Sequence, residues 1–111
     1  MNQLAQQIKD LAKAYTHDTV GIRRHIHANP ELSFEEYNTA AYVEAVLQSY
    51  GLETTRMATT GVVALIKGRN SERKTIALRA DLDALPITEQ NAVDYKSKNA
   101  GVMHACGHDV H

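Results

Sequence analysis

The chain has 111 residues with 12 Lys and Arg and 13 Asp and Glu, so its net charge of −1 gives it no positive field for binding nucleic acid. With 43% hydrophobic and 23% charged residues, the composition is that of one folded domain and excludes a disordered chain. The longest apolar run, residues 61–66, is too short to cross a bilayer and the polar segment 1–7 is no secretory signal, so we expect a cytoplasmic protein with no membrane partner.

Residues 4–27 carry apolar side chains at helical spacing with polar residues between them, which predicts an amphipathic helix. Pro30 ends the pattern, because its ring and its missing N–H do not fit the interior of a helix. We expect the helix to be disturbed at residues 19–21, where Thr, Val and Gly follow one another.

A second helix is predicted to begin after Ser33 and to end near Tyr50. Ser33 and Glu36 match a capping box, in which each side chain accepts a hydrogen bond from the backbone N–H of the other residue. Apolar and tyrosine side chains then share one face, and Gly51 supplies the positive φ that commonly terminates a helix.

Three short strands are predicted after Gly51, at residues 52–56, 62–67 and 75–79, because these stretches are rich in Thr or in β-branched apolar residues. The polar stretch 68–74 is typical of an exposed turn, so we expect it to join the last two strands as a hairpin. This order of elements indicates the α/β class, with two N-terminal helices packed on a sheet.

The terminal segment, residues 103–111, holds three histidines, the only cysteine and one aspartate. Thiolate, imidazole and carboxylate are the usual ligands of zinc and related divalent ions. Cys106 and His108 are two residues apart, which places both side chains on one side of an extended segment. From spacing alone, the alternative that Cys106 packs as a small apolar residue and the histidines lie on the surface stays equally open.

Two aspartates follow the predicted strand 75–79. In extended backbone Asp81 and Asp83 point the same way, and carboxylates at the end of a strand commonly bind a metal or orient a histidine that does. The alternative is that one of them caps the turn before Pro86.

His25 and His27 are also two residues apart, but inside a helix such positions diverge. We therefore expect them to stabilise the corner between the two helices by hydrogen bonds and to bind no ligand.

Three segments together, residues 24–36, 78–87 and 104–111, resemble the opening third of the M20 family of metallopeptidases. They are most similar to its amidohydrolase branch, which contains N-acyl-amino-acid amidohydrolases, hippurate hydrolases and enzymes that cleave auxin–amino acid conjugates. The resemblance covers nearly the whole chain. It implies that residues 1–111 are the N-terminal part of a catalytic domain, without the rest of that domain and without the lid domain that mediates homodimer formation.

The resemblance also implies roles for single residues. Cys106 and His108 match the metal ligands of the family's Cys-Gly-His-Asp motif, and Asp83 matches a catalytic aspartate that orients a metal-bound group. Asp81 stands where other branches carry a metal-binding histidine, so its role stays open, as do those of Asp109 and His111.

The function implied is hydrolysis of the amide bond of a small N-acyl amino acid by water bound to two divalent metal ions. Zinc or manganese is expected, and cobalt or nickel would also suit the two visible ligands. The family's glutamate pair, which supplies the general base, is not in this sequence, so we expect the chain by itself to be inactive. The alternative is a free-standing, non-catalytic module that binds a metal or associates with itself.

Overall fold

The computed structural model describes residues 2–111, in which three helices precede two strands. The elements are α1 (Gln3–Ala14), α2 (Thr16–Ala28), α3 (Tyr37–Ser49), β1 (Thr54–Met57) and β2 (Gly61–Ala64). Helix α3 packs on both strands, and α1 contacts α2. The predicted order of helices followed by a sheet is confirmed, although its details differ.

The first predicted helix is divided in two at Tyr15, which has φ −89° and ψ 0°. The hydroxyl groups of Thr16 and Thr19 donate to the carbonyl oxygens four residues earlier, those of Ala12 and Tyr15. Such bonds compete with the helical backbone pattern and bend helices. The break therefore lies before the position that the sequence predicted, and Gly21 stays inside α2.

The predicted capping box at Ser33 and Glu36 is wrong. The Ser33 hydroxyl donates instead to the carboxylate of Asp83, 50 residues later in the chain. The carboxylate of Glu31 caps α3, because it accepts from backbone N–H groups in the first turn of that helix. The sequence thus predicted α3, but it placed the start directly after Ser33, whereas the helix begins at Tyr37. It also assigned the cap to the wrong side chains.

The two strands form an antiparallel hairpin in which Met57 is paired with Gly61. The turn between them is tight, since Ala58 and Thr59 both have positive φ, at 48° and 70°. A Cβ atom on residue 61 would lie 2.6 Å from the carbonyl oxygen of Met57, so only glycine fits there. We call α3 with this hairpin the hairpin unit.

The third predicted strand, residues 75–79, is not a strand in this structure, and no hairpin forms through residues 68–74. A strand needs a neighbour that satisfies its backbone groups, and no other segment within residues 2–111 pairs with this one. Ile76 and Leu78 are 78% and 96% exposed. The composition of the stretch suits a strand, but its partner is lacking.

The interior of the molecule is unusually polar. The buried apolar residues are Ile26, Ala28, Pro30, Ala40 and Ala84, and the buried polar residues are His27, Thr39, Glu89, His104 and Asp109. The radius of gyration is 16.2 Å, against roughly 13 Å for a compact domain of this length. Within residues 2–111 no helix has both the length and the apolar character needed to cross a bilayer.

Candidate metal centre

Irregular segments of the chain meet beside the C-terminal end of α2. The backbone N–H of Leu85 donates to the carbonyl oxygen of Met103 at 2.9 Å, and the N–H of Met103 donates back at 3.0 Å. The N–H of Ala84 donates to the carbonyl oxygen of Glu31 at 2.8 Å. These bonds bring Asp81 and Asp83 against the terminal segment.

His108 lies between these two aspartates. Its Nδ1 is 2.7 Å from Oδ1 of Asp83, and its Nε2 is 3.9 Å from Oδ2 of Asp81. An ionised carboxylate only accepts hydrogen bonds, so Nδ1 carries a proton and donates a hydrogen bond to Asp83. Nε2 is then the ring atom available to bind a metal.

Asp83 is kept ionised by its surroundings. Partial burial favours the neutral acid, but hydrogen bonds from Ser33 and His108 outweigh that effect and hold the pKa of Asp83 below its ordinary value. The Ser33 hydroxyl lies 3.0 Å from Oδ2, while His108 occupies Oδ1. Asp83 is therefore an acceptor that fixes the orientation of the His108 ring.

His111 completes a group of potential metal ligands with Asp81 and His108. One ligand atom each from Asp81, His108 and His111 lies within 4.8 Å of the other two. Imidazole nitrogen and carboxylate oxygen are donors that zinc and manganese accept. The donor set at this position thus fits a divalent metal ion.

Cys106 stands apart from that group. Its side chain is exposed, and Gly107, with φ 96°, turns the backbone between it and His108. Of the residues predicted from the sequence, the structure brings His108, Asp83 and Asp81 together and leaves the Cys106 thiol outside the group formed by Asp81, His108 and His111.

A second cluster of charged side chains lies buried next to the terminal segment. Nδ1 of His27 is 2.9 Å from Oδ2 of Asp109, and Nε2 of His27 is 3.0 Å from Oε1 of Glu89. The side chains of these three residues are at most 5% exposed. Arg23 adds a second cation, with its Nε 2.8 Å from Oδ2 of Asp109. We call these four residues the buried charge cluster.

Glu89 is strongly held in its charged form. Burial would raise its pKa, but hydrogen bonds from His27, the backbone N–H of Ser97 and the amide of Asn91 lower that pKa to about 2. Glu89 is therefore an anion at every physiological pH.

His104 is 3% exposed, and the centroid of its ring lies 6.4 Å from that of His27. Burial lowers the pKa of its ring, an effect that the nearby carboxylate of Asp109 only partly offsets, so the ring is neutral at pH 7. Neither ring nitrogen has a hydrogen-bond partner within residues 2–111.

No motif in the sequence predicted the buried charge cluster. The predicted divergence of His25 and His27 is confirmed, since the His25 ring stacks on Tyr42 of α3 with 3.9 Å between ring centroids. His27, however, contacts carboxylates 62 and 82 residues away in the chain. No local pattern joins residues at such distances, and Glu89 lies in a stretch with no periodicity.

Comparisons with known proteins identify relatives of this chain. Residues 77–111 match the family model described as peptidase family M20/M25/M40. The chain is 50% identical to an N-acyl-L-amino acid amidohydrolase of Geobacillus stearothermophilus over 96% of its own length and 29% of that relative. It is 53% identical to the N-acetyl-L-cysteine deacetylase of Bacillus subtilis over 83% of its own length and 22% of that relative.

A solved structure has the same fold. A crystal structure from Bacillus subtilis, described as a dinuclear metal binding peptidase from the M20 family, superimposes with a TM-score of 0.78 at 43% identity. The match covers 87% of this chain and 27% of that one. The chain thus spans less than a third of the length of these relatives.

Proposed function

We propose that this chain, which belongs to the M20 peptidase family, supplies part of a two-metal centre that hydrolyses the amide bond of small N-acyl amino acids. Two of its relatives are named for such reactions, an amidohydrolase and a deacetylase of N-acyl amino acids. In this proposal the chain is the N-terminal part of a catalytic domain, and the remaining sequence of the protein supplies the other ligands, the general base and a dimerising lid domain.

The observation that carries the proposal is the orientation of His108. Nδ1 donates a hydrogen bond to Asp83, which leaves Nε2, the ring nitrogen near Asp81, to bind a metal. We assign His108 and Cys106 as metal ligands and Asp83 as the residue that orients His108. Cys106 is exposed and lies outside the group formed by Asp81, His108 and His111.

Two bound divalent ions, zinc or manganese, would lower the pKa of a water molecule and so make it a stronger nucleophile toward the amide carbonyl. They would also stabilise the charge that develops on the carbonyl oxygen. The chain's own residues hold the His108 ring in position. Asp83 accepts a hydrogen bond from Nδ1 of His108 and so orients the ring with Nε2 as the nitrogen that can bind a metal. Ser33 donates to the other oxygen of Asp83 and limits its rotation. We place the full enzyme in the cytoplasm, as a homodimer.

The experiment compares three forms of the protein at its natural length: unchanged, His108→Ala and His17→Ala. His17 is exposed on α2 and is a matched control for the loss of an imidazole. Each form is freed of metal by chelation, loaded with zinc or manganese, and assayed with N-acetyl-amino acids and hippurate. We expect hydrolysis by the unchanged and His17→Ala forms only. No hydrolysis of any N-acyl amino acid by the unchanged protein, with either metal, contradicts the proposal.

The chain of 111 residues is expected to be inactive in the same assay, because it lacks the general base. Its exposed apolar residues favour a second candidate for the chain alone, a non-catalytic module that associates with itself. In such an assembly, the exposed Ile76 and Leu78 of one chain would pack against the same residues of a second copy. Sedimentation of the 111-residue chain with and without zinc, together with the assay, separates the two functions.

A further inference from the structure

We propose that His27 is a positioning residue, which holds the backbone segment carrying His108 in place through Asp109. The inference rests on the proposed metal site at His108. His27 touches neither substrate nor metal in this assignment, because its two ring nitrogens are both occupied by carboxylates.

Both nitrogens of the His27 ring are hydrogen-bonded to carboxylates. Asp109 and Glu89 approach opposite nitrogens of one imidazole at 2.9 and 3.0 Å, and ionised carboxylates only accept. Both nitrogens therefore donate, and the ring is a cation between two anions. With Arg23, the cluster contains two positive and two negative groups, so its charges balance. Buried charges are tolerated only when paired in this way.

Asp109 connects the buried charge cluster to the proposed metal site. Asp109 directly follows His108, so the side chains of two consecutive residues are anchored to different parts of the molecule. The ring of His108 is bonded to Asp83, and the carboxylate of Asp109 is bonded to His27 and Arg23 on α2. Two anchors on neighbouring residues define the direction of the backbone between them.

Few other contacts hold the backbone segment around His108. Gly107 has φ 96°, a conformation open mainly to glycine, and residues 105–106 are exposed. Between residues 104 and 111 the backbone makes one hydrogen bond, from the N–H of Val110 to the carbonyl oxygen of Gly107 at 2.9 Å. Side-chain contacts therefore dominate its placement. Without His27 the Asp109 carboxylate would lose one of its two cationic partners and would turn toward water, and His108 would move with it.

A purely structural role for His27 is the competing explanation, and two substitutions separate it from positioning. The side-chain nitrogen of asparagine lies close to where Nδ1 of histidine lies, and that of glutamine lies close to where Nε2 lies. His27→Asn can therefore keep the donor to Asp109 and lose the one to Glu89, whereas His27→Gln keeps the donor to Glu89 and loses the one to Asp109. A structural role predicts similar effects of both, since both remove one bond from the same cluster.

The test uses the protein at its natural length and measures zinc affinity by chelator competition, with His17→Gln as the control. We expect His27→Gln to raise the zinc Kd by about 10- to 100-fold, as loss of an outer partner of a ligand typically does. His27→Asn and His17→Gln should stay close to the unchanged protein. Equal losses of affinity in the Gln and Asn variants, or no loss in either, would overturn the proposal.

Amide hydrogen exchange of the metal-free proteins is the second measurement, and it does not depend on metal binding. The Val110 amide, which is bonded to Gly107, should exchange faster in His27→Gln than in His27→Asn. Equal exchange in the two variants contradicts positioning. If the unchanged protein binds no zinc while this exchange difference is present, the proposed function fails and the positioning of the segment by His27 still holds.

Discussion

The hairpin unit and the buried charge cluster are held together in opposite ways. In the hairpin unit, strands four residues long are joined by a three-residue turn, and α3, which precedes them in the chain, packs on them. In the buried charge cluster, three segments are joined by side-chain bonds between residues 62 to 86 positions apart. The first arrangement depends on local backbone geometry. The second depends on charge pairing in a place from which water is excluded.

This contrast means that single substitutions should act differently in the two regions. Removing one member of the buried charge cluster leaves a buried charge without its partner, which is among the most destabilising changes a protein can undergo. Substitutions in the hairpin unit disturb a turn or a cap at the surface, and their effects should be smaller.

His27→Ala should lower the free energy of unfolding by about 3 to 5 kcal/mol, because it leaves Glu89 and Asp109 buried without their shared cation. Chemical denaturation of the protein at its natural length measures this. His25→Ala is the matched control, since His25 lies on the same helix, is exposed and stacks on the Tyr42 ring. Equal losses of unfolding free energy for both substitutions would show that the buried charge cluster does not contribute more to stability than an exposed histidine does.

Acid should weaken the protein through Glu89. Its folded-state pKa of about 2 lies below the ordinary value of 4.5, so its ionised form stabilises the fold at pH values above 4.5. That contribution, about 3 kcal/mol, is lost progressively as the pH falls from 4.5 toward 2. Glu89→Gln removes the titrating group, so a plot of its unfolding free energy against pH should be flatter over this interval. Parallel plots for the two proteins would contradict the assignment.

Gly61→Ala should destabilise the hairpin unit by about 1 to 3 kcal/mol, because its Cβ would meet the carbonyl oxygen of Met57. Gly68→Ala is the control, since a Cβ atom there meets nothing within 4 Å. Thermal unfolding of both variants makes the comparison. A Tm for Gly61→Ala as high as for Gly68→Ala would mean that the turn adjusts without cost.

Glu31→Ala should have the smallest effect of the four, about 1 kcal/mol, because it removes the carboxylate that accepts from the first backbone N–H groups of α3. Ser33→Ala tests the cap that the sequence suggested. It should leave the helix unchanged and loosen Asp83 instead. Helix content by circular dichroism and the zinc Kd, measured on both variants, separate the two roles.

The site was predictable from the sequence to the extent that its chemistry is concentrated in short motifs. The terminal segment and the pair Asp81 and Asp83 carry imidazole and carboxylate groups at close spacing, and the structure brings His108 to both aspartates. The assignment of Cys106 and His108 as metal ligands stays a prediction. Nothing in the residues around Glu89 pointed to a contact with His27, because the meeting of two distant segments leaves no periodic pattern in either.

Local sequence was enough to predict the order of the elements, the presence of α3 and the residues that could bind a metal, since helical spacing, turn residues and ligand chemistry are local properties. Tertiary contacts set which residue caps α3, which segments pair as strands and which carboxylates share His27. Each of these depends on a partner far away in the chain. A strand such as residues 75–79 forms only where another backbone satisfies its hydrogen bonds, and a buried charge persists only where an opposite charge meets it.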